Sequence, residues 1–143
     1  KSMAWVENNM DSDTLDSSLS TINSAFRGPF MTDCLFCKIG RKEIPAKLVY
    51  EDAELFAFED IHPQAPAHIL ICPRKHLVSL TEAAVEDAAV LGRLQLVAAQ
   101  IAKERKLTDG YRTVVNNGPG AGQSVFHLHL HLLGGRDFRW PPG

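Results

Sequence analysis

The segment Ser124-Val125-Phe126-His127-Leu128-His129-Leu130-His131-Leu132-Leu133 places histidines at alternate positions with large apolar residues between them. A period of two is the mark of an extended strand, whose successive side chains leave on opposite faces. The expected strand turns His127, His129 and His131 to one side, and Phe126, Leu128, Leu130 and Leu132 to a core on the other. At ~6.6 Å per two residues, His127 and His131 stand about 13 Å apart along the backbone, too far to share one zinc ion with bonds near ~2.1 Å. The three rings must therefore serve different purposes. Leaving three buried imidazoles unpartnered would cost about 1–3 kcal/mol each, so the row is expected to carry chemistry.

The chain has 143 residues, 45% of them apolar and 22% charged, which fits one globular domain with a substantial core. A formal net charge of −2 and the lack of a lysine or arginine run argue against a protein that grips nucleic acid through its backbone charge. No apolar stretch approaches the ~20 residues of a membrane span, and the beginning lacks the basic-then-apolar order of a signal peptide. The expectation is a cytoplasmic protein that does not engage membranes. Of three cysteines, Cys34 and Cys37 form a C-x-x-C pair suited to a metal in a reducing compartment, while Cys72 sits in an apolar run as a small hydrophobe. Residues 1–30 are rich in Ser, Asn, Asp and Thr and read as an extension, with the domain expected over 31–143 from Met31.

Along that domain the pattern predicts a short helix or turn near 35–39 and a β-hairpin from Leu48-Val49-Tyr50 and Leu55-Phe56-Ala57-Phe58. Two prolines make 61–66 an irregular loop, and a third strand, 68–72, stops at Pro73. Val90, Leu94, Val97 and Ile101 fall at helical spacing, so one long amphipathic helix is expected from Thr81, which is its expected N-cap. A fourth strand is expected over 111–116, before the glycine-rich loop 117–122. Short connections and hairpins favour a mostly antiparallel sheet with a helix on one face, an α+β fold.

The glycine-rich loop can turn backbone N–H groups toward an anion, which places Gly122, Gln123 and Ser124 near a phosphate. Neutral imidazole attacks phosphorus and later leaves it readily, so a positioned histidine can split hydrolysis into two displacements. His129, in mid-row, is the expected nucleophile, with His131 or Ser124 delivering a proton.

Asp109-Gly110-Tyr111-Arg112, Val115-Asn116, Gly122-Gln123-Ser124-Val125, the histidine row, Gly134-Gly135-Arg136 and Trp140-Pro141-Pro142-Gly143 together closely resemble the histidine triad (HIT) family, in its Hint branch. Ile44-Pro45-Ala46, Asp60-Ile61, Pro63-Gln64-Ala65-Pro66, His68 and Pro73-Arg74-Lys75-His76 extend the likeness, which runs from about Cys34 to Gly143. The resemblance implies a five-stranded, mostly antiparallel sheet with one long and one short N-terminal helix, joined across a homodimer. It implies a hydrolase of nucleoside 5′-phosphoramidates or related purine nucleotides that releases AMP through a nucleotidyl-histidine intermediate. His129 matches the nucleophile, His131 and Ser124 the phosphate and leaving-group contacts, and His68 the histidine that supports the nucleophile. Asp60 and Asn116 match the ribose-binding groups, and Leu35, Phe36, Ile39, Ile44, Phe58 and Ile61 the base pocket, where apolar side chains suit a flat purine. Gly122, Gln123 and Val125 complete the nucleotide-binding set, and Trp140 would lie near the partner's substrate site.

The cysteine pair departs from the common animal Hint pattern. Zinc-bearing relatives combine such a pair with histidines matching His76 and His127, which implies a structural Zn²⁺ on Cys34, Cys37, His76 and His127 with no open position for water. No organic cofactor is expected. Glu59 stands where relatives often carry histidine, and His62 is assigned no role. Rival readings are a nucleotide-binding regulatory or scaffold protein with weak hydrolysis, a dinucleoside polyphosphate hydrolase or nucleotidyl transferase on the same fold, and a metal-binding module using all the histidines.

Overall fold

The computed structural model describes residues 34–143, so the extension expected at 1–30 and the start expected at Met31 lie outside the described residues. The elements run α1 (Leu35–Gly40), β1 (Leu48–Glu51), β2 (Leu55–Glu59), β3 (Ala67–Pro73), α2 (Ala88–Glu104), β4 (Tyr111–Val114) and β5 (Leu130–Gly134). The strands form one five-stranded sheet in the order β1-β2-β3-β5-β4, antiparallel at every pairing. The hairpin expected from the first two apolar runs is present as β1 and β2. Asp52 caps its turn by accepting the Glu54 and Leu55 N–H groups at 2.8 Å, and Arg93 of α2 reaches back to the same carboxylate.

Alternation along the strands assigns the two faces of the sheet. Leu55, Ala57, Ile69, Ile71, Leu130 and Leu132 join Val90, Leu94, Val97 and Ile101 of α2 in the main core. The intervening Phe56, Phe58, Leu70 and Cys72 pack on the opposite face with Phe36 and Ile39 of α1, beside Val125 and Ile44. His131 pairs with Leu70 and His68 with Leu133, which puts both rings on this second face, away from the long helix. Strands β3 and β5 thus each have a dry side toward α2 and a side that carries histidine.

Three boundaries differ from the sequence-based expectation by more than one residue. The helix begins at Ala88 rather than Thr81, after two short 3₁₀ turns, because the buried Asp87 carboxylate bonds the Ala84 N–H at 2.9 Å and Lys75 Nζ at 2.7 Å. Those bonds hold the preceding residues in a turn. The strand expected over 111–116 closes at Val114. The histidine row is not one strand: the ladder of β5 opens only at Leu130, leaving His127 in a bend over 125–127 and His129 on the irregular approach to the strand. There the Leu128 N–H bonds Leu77 O at 2.6 Å and the His127 ring takes Pro73 O at 2.7 Å, so the backbone groups that would continue the pairing are engaged elsewhere. Phe126, expected in the core, is 49% exposed for the same reason.

Leu94 is buried between α2 and the sheet, and replacing it with alanine should destabilise the fold by about 2–5 kcal/mol, against about 0.5–1.5 for Ile101→Val. Urea denaturation midpoints of the two variants check the difference, and equal losses would contradict this packing.

Candidate active site and metal cluster

The three histidines of the row have separate partners. His127 is fully buried, and its Nε2–H donates to Pro73 O at 2.7 Å, which leaves Nδ1 as a bare lone pair. That nitrogen lies 3.4 Å from Cys34 Sγ, 3.5 Å from Cys37 Sγ and 3.2 Å from His76 Nδ1, with Cys37 Sγ 3.4 Å from His76 Nδ1. A tetrahedral zinc with Zn–S near ~2.3 Å and Zn–N near ~2.05 Å has S···N edges of about 3.6 Å and N···N edges of about 3.3 Å. The four donor atoms already have that spacing, so the residues fit the ion. Cys34 also caps α1, its sulfur accepting the Cys37 N–H at 3.5 Å, so a first-turn amide faces the thiolate. Without a cation, burial pushes the Cys37 thiol up to about 12, with Cys34 adding to the rise; a bound dication opposes both effects.

His129 turns the other way. Its Nδ1–H donates to the His127 carbonyl at 2.7 Å, and since a carbonyl only accepts, the lone pair sits on Nε2. The ring is held edge-on by Phe36 at 5.0 Å and by His131 at 4.9 Å between centroids. Burial lowers its pKa below the ordinary histidine value, only partly offset by the His127 carbonyl and Asp60. A neutral ring whose bare Nε2 is fixed by a backbone hydrogen bond at Nδ1 is the form a nucleophile requires.

His131 Nδ1 lies 2.9 Å from His68 Nε2. His68 Nδ1 accepts the Gln64 N–H at 3.0 Å, and Asp60 Oδ2 stands 3.4 Å from His68 Nε2. Burial, reinforced by the neighbouring histidines, lowers His131 to about 4; burial also lowers His68, against the pull of Asp60. The other carboxylate oxygen of Asp60 accepts the His62 N–H at 2.8 Å.

The remaining expected residues fall into three groups. Phe36, Ile39 and Phe58 are buried behind the rings with Ile44 and Val125 beside them, whereas Leu35 and Ile61 are exposed. The glycine loop closes through Gly122, at φ +90°, and brings Asn116 Nδ2 within 3.9 Å of where its Cβ would lie; Ser124 is exposed. Gln123 holds the loop itself: its side chain accepts the Gly118 N–H at 2.8 Å and donates to Val78 O at 2.6 Å and Val125 O at 3.1 Å. Trp140 is 83% exposed. Glu59 forms ion pairs with Lys47 and Arg105 at 3.0 and 2.9 Å. Two residues to which no role was given, Gln64 and Arg136, prove to be connected to the histidines; they stand in the motifs that carry the family likeness, but their contacts run through backbone groups that no side-chain pattern reveals.

Comparison with known proteins agrees with this geometry. The chain is similar to the 14 kDa zinc-binding protein of Zea mays, 52% identical over 111 residues that cover 76% of this chain and 87% of that one. A solved HIT family hydrolase from Legionella pneumophila Philadelphia 1 is 48% identical with a TM-score of 0.76, covering 78% of this chain and 100% of that one. The histidine triad nucleotide-binding protein from Candida albicans is 34% identical with a TM-score of 0.66, over 78% of this chain and 85% of that one. Residues 41–138 match the HIT domain model, and the chain belongs to that family.

Proposed function

We propose that the protein hydrolyses nucleoside 5′-phosphoramidates or related purine nucleotides through a covalent intermediate on His129. The observation that carries this reading is the His129 Nδ1–H bond to the His127 carbonyl, which leaves Nε2 as a neutral nucleophile in mid-row. In the proposed first step Nε2 bonds to phosphorus while the P–N bond breaks, and the nitrogen departs as the amine after taking up one proton from solvent. The His131 Nε2–H and the Ser124 hydroxyl are the donors for the phosphoryl oxygens and the departing nitrogen. Water then displaces His129 and releases AMP. Asp60 and Asn116 would hold the ribose, and the apolar side chains around Phe36, Ile39, Ile44 and Phe58 the base, with Leu35 and Ile61 at the rim. Gly122, Gln123 and Val125 shape the phosphate loop. Exposed Leu96 on α2 and Tyr111 on edge strand β4 support a homodimer formed through those elements, which would bring Trp140 toward the partner's site.

A zinc ion on Cys34, Cys37, His76 and His127 is the second part of the proposal. Bound there it would cross-link α1, the segment after β3 and the approach to β5, and with four protein ligands it would leave the reaction to the other histidines.

Enzyme quenched during turnover of an adenosine phosphoramidate should carry an AMP adduct on His129 by mass spectrometry. His129→Ala should lose turnover by at least about 10³-fold while still binding AMP; retained turnover would falsify the assignment, and tight AMP binding with negligible wild-type kcat would favour a scaffold. Because burial lowers the His129 pKa, the neutral form persists below the ordinary value, so kcat/KM should hold as pH falls to about 6.5 and decline only beneath it. An acid limb centred above 7 contradicts the assignment. Metal analysis should find one zinc per chain, lost in Cys37→Ser with a lowered Tm and kept in His129→Ala. Loss of zinc from the His129 variant would indicate a metal module instead.

A further inference from the structure

The Gly134-Gly135-Arg136 turn lies directly on the 61–66 loop. Gly135 has φ +86°, and a Cβ there would stand 2.9 Å from Pro66 Cβ, so the close approach requires glycine. This contact brings Arg136 over Gln64, whose carbonyl accepts Arg136 Nε–H at 2.9 Å. The guanidinium is fixed in turn by Nη1–H donation to Asp137 O at 3.0 Å and by stacking 4.3 Å from the centre of the Phe138 ring. Arg112 stacks on the same ring at 5.0 Å but donates to Arg139 O, away from the loop.

The N–H of Gln64, on the peptide unit one Cα earlier than its carbonyl, donates to His68 Nδ1, so Gln64 is held on both sides of its Cα, by Arg136 at its carbonyl and by His68 at its N–H. An amide nitrogen only donates, so His68 Nδ1 must be bare and the proton of the neutral ring must sit on Nε2. That proton is donated to His131 Nδ1, which places the His131 proton on Nε2. One backbone amide therefore sets the tautomers of two rings in series.

We propose that Arg136 is a positioning residue: by clamping the Gln64 carbonyl it restrains the Gln64 backbone, whose N–H keeps the Gln64–His68–His131 chain in the one order that presents an Nε2–H from His131 to an anionic phosphate. In the reversed order His131 turns its Nε2 lone pair outward and repels that anion. The inference rests on the nucleotide reading above for the identity of the anion, and on the hydrogen bonds alone for the tautomers. Without the guanidinium, the Gln64 carbonyl is left to water on an exposed loop, the Gln64 backbone loses that restraint on the position of its N–H, and both orders become populated.

The test uses full-chain protein with ¹⁵N-labelled histidine, comparing wild type, Arg136→Ala and Arg112→Ala by two-bond ¹H–¹⁵N spectra and by titration with AMP and with adenosine. Wild type and Arg112→Ala should show bare Nδ1 on both His68 and His131. Arg136→Ala should show mixed tautomers at both rings and bind AMP about tenfold more weakly, with adenosine affinity unchanged. Unchanged tautomers in Arg136→Ala, or equal weakening toward AMP and adenosine, overturns the proposal. Failure of the wild type to bind either ligand would overturn the nucleotide reading, while the spectra still decide the role of Arg136.

Discussion

The bond from the His127 ring to the Pro73 carbonyl, 2.7 Å long and wholly buried, organises everything around it. A proline at the end of β3 keeps its carbonyl but has no N–H to offer a neighbouring strand. A side chain takes the carbonyl that a ladder would otherwise use, and pairing between β3 and β5 ends with Ile71 opposite Leu130. Three consequences follow from the same bond: the Nδ1 lone pair of His127 faces the cysteines, the backbone of 127–129 is freed from the sheet, and the His127 carbonyl becomes available to the His129 ring.

Burying imidazoles is unfavourable unless each is neutral and hydrogen-bonded. Burial pushes His127 and His131 down to about 4, so near neutrality these rings carry no charge. No buried side-chain nitrogen or oxygen among the described residues lacks a partner. The partners of the ring nitrogens are largely backbone groups: Pro73 O for His127, His127 O for His129 and the Gln64 N–H for His68. Peptide groups do not titrate in this range, which makes them suitable for fixing which nitrogen bears the proton. Electrostatics here selects tautomers rather than charges.

Features expressed in side-chain periodicity were legible in the chain itself. The apolar stripe of α2, the hairpin of β1 and β2, and the opposition of Leu130 and Leu132 to His131 all follow from spacing, and the cysteine pair marked a candidate metal site. Its two histidine partners came only through family likeness, since His76 and His127 are 51 positions apart. The misplaced boundaries share another origin: Asp87 delays α2, and Leu77 and Pro73 stop β5, through bonds between a side chain or loop and a distant backbone group. Gln123 was read as a phosphate contact, whereas its amide is engaged in holding the loop. Arg136 and Gln64 gave no side-chain signal because their link to His131 passes through the backbone C=O and N–H of Gln64, and backbone groups have no letter in the sequence.

The division of labour also explains why the spacing must be two even where the strand has dissolved. Leu128 and Leu130 are buried in the helix-side core, so a one-residue slip would carry those side chains to the polar face and bring imidazoles against α2. Register is thus enforced from behind by hydrophobic burial, at about 1.5–3 kcal/mol per leucine. The rings themselves need not supply that energy. They are free to be neutral, weakly held and chemically distinct, with His127 toward the thiols, His129 poised on its own backbone and His131 tied to His68. A row of identical residues acquires three environments because each ring meets a different partner, Pro73 O for His127, His127 O for His129 and the His68 ring for His131, and the leucines between them keep it there.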